Sequence, residues 1–194
     1  GFLRARLADP VQHDRAGTSH FVIRDAEGNA ISMTSSIETG FGSRLMVGGF
    51  LLNNELTDFS FSPRVNGKPV ANRVQGGKRP RSSMAPTIVF RNEEPYLLTG
   101  SPGGSRIINY VAQSLVAVLD WGLGPREAVE LGHFVNRNGT TELERGTDAA
   151  EYRAPLRELG HAVELAEHNS GLHLLRIRDG KLTGAADPRR EGIA

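Results

Sequence analysis

The sequence has no cysteine. Disulfides, thiolate metal sites and a cysteine nucleophile are excluded with it. A surplus of either charge is missing too: 23 Lys and Arg stand against 22 Asp and Glu, a net charge of +1. That balance offers no electrostatic hold on nucleic acid or on an anionic membrane surface, and neither partner is expected. No apolar run approaches the ~20 residues of a membrane-crossing helix. The chain opens on Gly1 rather than Met, so the lack of a leader there decides nothing about compartment. Cysteine-free chains suit cytosol and periplasm alike. Repeats and low-complexity tracts are also lacking. What remains is a globular composition, 38% hydrophobic and 23% charged over 194 residues. A domain of that size buries roughly 70% of its unfolded surface, enough for a core.

Residues 1 to 17 read as a polar lead-in ending in Ala16-Gly17. Two β-rich runs follow, His20 to Asp25 and Ala30 to Ser36, joined by the turn Ala26-Glu27-Gly28-Asn29. By the period of two, Phe21, Ile23, Ile31 and Met33 are expected to form the buried face. Four glycines between Glu38 and Gly49 imply loop, and residues 62 to 83, rich in Pro and Gly, an exposed excursion. A second hairpin is expected from Thr87-Ile88-Val89-Phe90 and Tyr96-Leu97-Leu98-Thr99. The strongest helix runs from Arg106 to Trp121, with Ile107, Ile108, Val111, Leu115, Val118 and Leu119 at helical spacing. Tyr110 and Trp121 are expected in the core. Pro125 starts another helix, and a third lies within Ala149 to Leu159, closed by Gly160. The end is β again: Ala162 to Leu165, Leu172 to Ile177 and Leu182 to Ala186. Strand pairs around central helices give an α+β layered domain.

Candidate chemistry is thinly marked. Thr18 follows a glycine, and a hydroxyl attacking the preceding carbonyl meets least obstruction there. Cleavage before Thr18 would leave an α-amine of pKa about 7.7–8.0, able to serve as the nucleophile's own base. Gly100 to Arg106 is a glycine-rich turn opening a helix, whose N–H groups suit an anion or a developing oxyanion, or merely a tight turn. Gly104-Ser105-Arg106 stands where a nucleotide P-loop needs Gly-Lys-Ser/Thr. Glu55 and Asp58, three residues apart, suit an ammonium group or form a solvated loop. Ser82 and Ser83 suit a carboxylate or cap a turn. The six histidines (13, 20, 133, 161, 168, 173) show no metal-ligand spacing and read as structural or surface residues.

The order of these segments is more specific than any of them. Thr18-Ser19-His20-Phe21, Asp25 to Ala30 and Phe41-Gly42-Ser43 open the series. Leu51 to Phe59, Lys78 to Met84, Gly100 to Ile107 and the final Gly184 to Arg189 continue it. Together they resemble the small subunit of the γ-glutamyltransferase family, from about Thr18 to the end. The resemblance implies an αββα four-layer sandwich of the N-terminal-nucleophile hydrolase type. It implies a precursor that cuts itself between Gly17 and Thr18. Residues 1–17 would be the tail of the large-subunit portion, and 18–194 the small-subunit catalytic domain. Thr18 would attack a γ-glutamyl amide such as glutathione, Ser36 would hydrogen-bond the nucleophile, and Gly103 and Gly104 would form the oxyanion hole. Ser82 and Ser83 would hold the substrate α-carboxylate; Glu55 and Asp58, helped by Glu38, its α-ammonium. Water, an amino acid or a dipeptide would accept the acyl group. No metal or cofactor is implied.

Many members carry Asn at the position of Glu38. The large subunit, which in the family supplies an arginine for the α-carboxylate, is the implied partner, and this chain alone is expected to be inactive and uncut. Family habit favours a periplasmic or secreted home. Two alternatives stand beside this reading: a glutaryl-cephalosporin acylase of the same family, and an anion-binding module using Gly100 to Arg106 with Lys78 to Arg81.

Overall fold

A computed structural model describes residues 17–194. Of the expected lead-in at residues 1–17, residues 1–16 lie outside the described residues. These fall into two compact units: Gly17 with Ser36–Pro80, and Thr18–Ser35 with Arg81–Ala194.

The chain begins with a hairpin, β1 (Thr18–Arg24) and β2 (Ala30–Ser36). Its turn is fixed by Asp25, whose carboxylate accepts both the backbone and the side-chain N–H of Asn29, each at 2.7 Å. Gly28 meets the demand for positive φ there. The hairpin is where sequence placed it, but with the opposite face inward. Thr18 and His20 are buried, whereas Phe21, Ile23, Ile31 and Met33 are 40%, 49%, 49% and 46% exposed. The period of two is right and the polar residues take the inside.

The first unit is irregular. A short hairpin, β3 (Met46–Val47) with β4 (Phe50–Leu51), stands where loop was expected. A 3₁₀ turn over Glu55–Asp58 follows, then the small hairpin β5 (Arg64–Val65) and β6 (Lys68–Pro69), within the exposed excursion.

The second unit is layered. β7 (Thr87–Arg91) pairs with β8 (Glu94–Gly100), which leads through a 3₁₀ turn at Gly104–Arg106 into α1 (Ile107–Leu119). Next come α2 (Pro125–Glu130), β9 (Phe134–Asn136) and β10 (Thr141–Glu144). A 3₁₀ turn at Asp148–Tyr152 runs into α3 (Arg153–Glu158), before β11 (Val163–Ala166), β12 (His173–Arg178) and β13 (Lys181–Ala186). α2 starts at Pro125, with Glu127 accepting the Gly124 N–H at its head.

The main sheet has the order β13-β12-β8-β7, antiparallel throughout. Alternation decides what each face meets. Thr99 and Leu174 are register partners; Thr99 reaches Ser114 of α1, and Leu174 joins a core with Leu97, Tyr110, Ala117, Val118 and Val129. One residue along, His173 pairs with Gly100 and turns the other way, where its ring lies 6.3 Å from that of His20 on β1. The layers are therefore hairpin, sheet and helices. This is the expected α+β class, with three of the four layers in this unit.

Three details depart from expectation. Trp121 is 55% exposed, and Ile108 and Leu119 also face outward. The buried side of α1 is Ile107, Tyr110, Val111, Gln113, Ser114, Ala117 and Val118, so a glutamine and a serine hold core positions. In the sheet β11-β10-β9, the strand β11 was expected, but β9 and β10 were not. Its central strand reads as polar Thr-Glu-Leu-Glu, yet all four residues are buried.

Candidate active site

Thr18 heads β1 and is only 7% exposed. Two residues on, His20 shares its inward face and is 4% exposed, with Nδ1 2.8 Å from Thr34 Oγ1. The close approach of β1 to β8 depends on Gly100: a Cβ there would lie 2.2 Å from His20 Cε1. Ser32 ties β2 to the same strand by donating to the Thr99 carbonyl at 2.9 Å. Burial, helped by the neighbouring His173, lowers the His20 pKa to about 4. The imidazole beside Thr18 is thus uncharged at neutral pH.

A cavity of about 230 Å³ opens against this end of the strand, lined by Thr18, His20, Pro102, Gly171, His173 and Arg190 among others. Arg190 donates to the Thr18 carbonyl at 3.4 Å and to the Asn169 carbonyl at 2.8 Å. Ser82, Ser83, Gly103 and Gly104 do not line it.

Gly103 and Gly104 form the turn between β8 and α1, with φ of +137° and +59°. Gly103 is constrained twice, because a Cβ would also fall 2.6 Å from Tyr110 Cε2. Ser101, fully buried, donates to the Pro102 carbonyl and accepts the Gly171 N–H, anchoring the start of the turn. Arg106 is engaged elsewhere: its guanidinium meets the Glu142 carboxylate at 2.6 and 3.1 Å. That pairing commits the loop's own cation and leaves an anion-binding reading to its N–H groups and to Lys78 to Arg81.

Behind the turn lies a buried polar network that sequence reading missed. Tyr110 stacks on His133 with ring centroids 4.3 Å apart. His133 Nε2 lies 2.6 Å from Ser170 Oγ, and Ser170 donates to Asp187 at 2.6 Å. Asp187 also accepts the Leu172 and Arg189 backbone N–H groups. Arg189 donates to both Asp187 and Glu144, and to the carbonyls of Val129 and Leu131. The histidine and the serine are far apart in sequence and lack any motif; the Asp187-Pro188-Arg189 run was the one available signal.

In the first unit, Glu38, Glu55 and Asp58 converge. One carboxylate oxygen from each lies within 4.8 Å of the others, and all three residues are half-buried. The 3₁₀ turn brings Glu55 and Asp58 to one side, since positions i and i+3 eclipse in that helix. Asn54 clamps the Glu38 segment to the turn: its N–H donates to the Ile37 carbonyl, while its Oδ1 accepts from Thr39 N and Oγ1 at 3.2 and 3.1 Å. Glu38 itself adopts φ +71° and donates its N–H to Ser36 Oγ at 2.8 Å. Three carboxylates this close repel one another and favour a cation between them, whether an ammonium group or a metal ion held by oxygens.

Ser82 is exposed, and its Oγ accepts the Met84 N–H at 3.2 Å. Ser83 is half-buried in the extended segment leading to β7.

The sequence model for gamma-glutamyltranspeptidases matches residues 4–194. The chain belongs to that family. The glutathione hydrolase proenzyme of Escherichia coli is 39% identical over 182 residues, which cover 89% of this chain and 31% of the relative. The chain spans about a third of the length of the curated relatives it matches. Among solved gamma-glutamyltranspeptidases, a threonine-to-alanine mutant of the Helicobacter pylori protein superposes with TM-score 0.78 at 34% identity, covering 88% of this chain and 99% of that one. The cephalosporin acylase of Bacillus halodurans shares the fold, with TM-score 0.77 at 23% identity over 90% of this chain and 33% of its own. Within the gamma-glutamyltranspeptidase fold, the nucleophile candidate, the glycine turn and the acidic triad each come from a separate segment of the chain.

Proposed function

We propose that this chain is the catalytic segment of an enzyme that transfers or hydrolyses γ-glutamyl groups on glutathione-like amides. Residues 1–17 are read as the tail of a large-subunit portion, and 18–194 as the small subunit released by self-cleavage between Gly17 and Thr18. The relatives' description as proenzymes supports that maturation. Thr18 Oγ then attacks the γ-carbonyl of the substrate, its own α-amine taking the proton, as suits a group of pKa about 7.7–8.0. Ser36 steadies the nucleophile, and the Gly103 and Gly104 N–H groups face the developing oxyanion, each such donor being worth about 3–4 kcal/mol of barrier. Ser82 and Ser83 take the α-carboxylate together with a large-subunit arginine. Water, an amino acid or a dipeptide resolves the γ-glutamyl ester.

One observation carries the choice of acyl group: the convergence of Glu38, Glu55 and Asp58. A γ-glutamyl substrate brings an α-ammonium to match three carboxylates, whereas a glutaryl group brings none.

Intact mass of the full-length precursor tests the maturation. Two chains are expected, the smaller starting at Thr18, and Thr18→Ala should give one uncut, inactive chain. Assaying the mature enzyme on γ-glutamyl and glutaryl anilides tests the substrate. Turnover of the glutaryl compound alone overturns the γ-glutamyl reading.

A further inference from the structure

Gly17 is held by backbone hydrogen bonds on both sides. Its carbonyl oxygen accepts the Ile37 N–H at 2.8 Å, and its own N–H donates to the Glu38 carbonyl at 3.1 Å. Its φ lies outside the left-handed region, so conformational freedom is not why glycine stands here. Space is. A Cβ at position 17 would fall 2.4 Å from Ile37 Cγ1 and 3.1 Å from the Thr39 carbonyl oxygen. Any side chain would push this residue away from Ile37.

We propose that the Ile37 backbone N–H is the oxyanion donor of the self-cleavage step, and that position 17 must be glycine for this donor to reach the carbonyl. The inference rests on the reading above that the chain is cut before Thr18. In that step Thr18 Oγ bonds to the Gly17 carbonyl carbon, and the bond from that carbon to the Thr18 nitrogen breaks. The Oγ proton passes to the departing nitrogen, giving an ester and a free amine. Water then attacks the ester, leaves Gly17 as a carboxylate and returns a proton to Thr18 Oγ. In each tetrahedral intermediate the negative charge rises on the Gly17 oxygen, the atom that the Ile37 N–H already contacts. A donor fixed in place beforehand needs no reorganisation when charge develops. Maturation and turnover would then use separate donors: Ile37 for the chain's own peptide, and the glycine turn for the substrate.

The decisive experiment follows self-cleavage of the full-length precursor by intact mass over time. Replacing the amide at residue 37 with an ester, by incorporating the α-hydroxy analogue of isoleucine, removes the N–H and keeps the side chain. Cleavage should slow by about 10²-fold, the usual cost of losing one oxyanion donor. Independently, Gly17→Ala should slow cleavage at least ~10-fold, and adding Ile37→Ala, which clears the contact, should recover most of the loss. An ester precursor that cleaves at the native rate overturns the donor assignment while leaving the cut before Thr18 intact. Should the ester variant not fold, a double alanine variant no faster than Gly17→Ala overturns it instead. A native precursor that is never cut before Thr18 removes the reading beneath.

Discussion

His20 illustrates how a single side chain can set a pH limit. Its folded pKa, about 4, lies below the ordinary 6.5 because burial disfavours the charged ring. Between those values the unfolded chain binds the proton and the folded one does not. The stabilisation is therefore complete above pH 6.5 and is lost as pH falls toward 4. Thermal midpoints of the mature enzyme should drop across that window, and a His20→Asn variant, though less stable at pH 7, should drop less. A midpoint as steep in the variant as in the native protein would exclude His20 as the source. At Gly103 the constraint is backbone rather than charge: φ +137° and the Tyr110 ring both oppose a side chain. Gly103→Ala should cost about 1–3 kcal/mol of stability and lower kcat far more than KM, as read from steady-state kinetics. Thr18, Gly17 and the glycine turn became candidates through the order of motifs along the chain, since each is unremarkable as a local signal. His133, Ser170 and Asp187 did not, because their relation exists only after residues 133, 170 and 187 are folded together.

Among the elements, the hairpin of β1 and β2 and the helix α1 were legible in position but not in every facing. A period of two says that one side is buried without saying which. Here the inner side carries Thr18, His20, Ser32 and Thr34, so polar residues facing β8 win over Phe21, Ile23, Ile31 and Met33. Four large apolar side chains on one outer face call for a cover. If the proposed large subunit supplies it, Ile31→Lys should abolish co-purification of the two chains, whereas Asn29→Lys in the turn should not. The strand β10 was missed for a related reason: Glu142 and Glu144 read as surface residues until their cations are known. Burial raises the Glu142 carboxyl, but hydrogen bonds from Arg106 and Arg137 more than offset it and leave it below the usual range. Because Glu142 is buried and the arginines are partly exposed, Glu142→Ala should destabilise the mature enzyme by about 2–3 kcal/mol, less than a fully buried pair would lose. Chemical denaturation measures it.

For the molecule as a whole, the fold class and the family could be read from ordered motifs, while the dependence on further chain could be read only as an expectation. Residues covering about a third of the relatives' length hold the nucleophile candidate and the acidic triad. Produced alone, this segment should release no anilide from a γ-glutamyl substrate; co-produced with the large-subunit portion it should. Turnover by the isolated segment would show that the proposed partner arginine is dispensable.

The clamp at Arg189 has a temporal consequence. It reaches back to Glu144, Val129 and Leu131, and its neighbour Arg190 reaches to Thr18, 172 positions earlier. A ribosome delivers these arginines after Thr18. The surroundings of Thr18 are therefore completed only once residues 189 and 190 have been made, so under the proposed self-cleavage a nascent polypeptide stalled before residue 189 should stay in one piece.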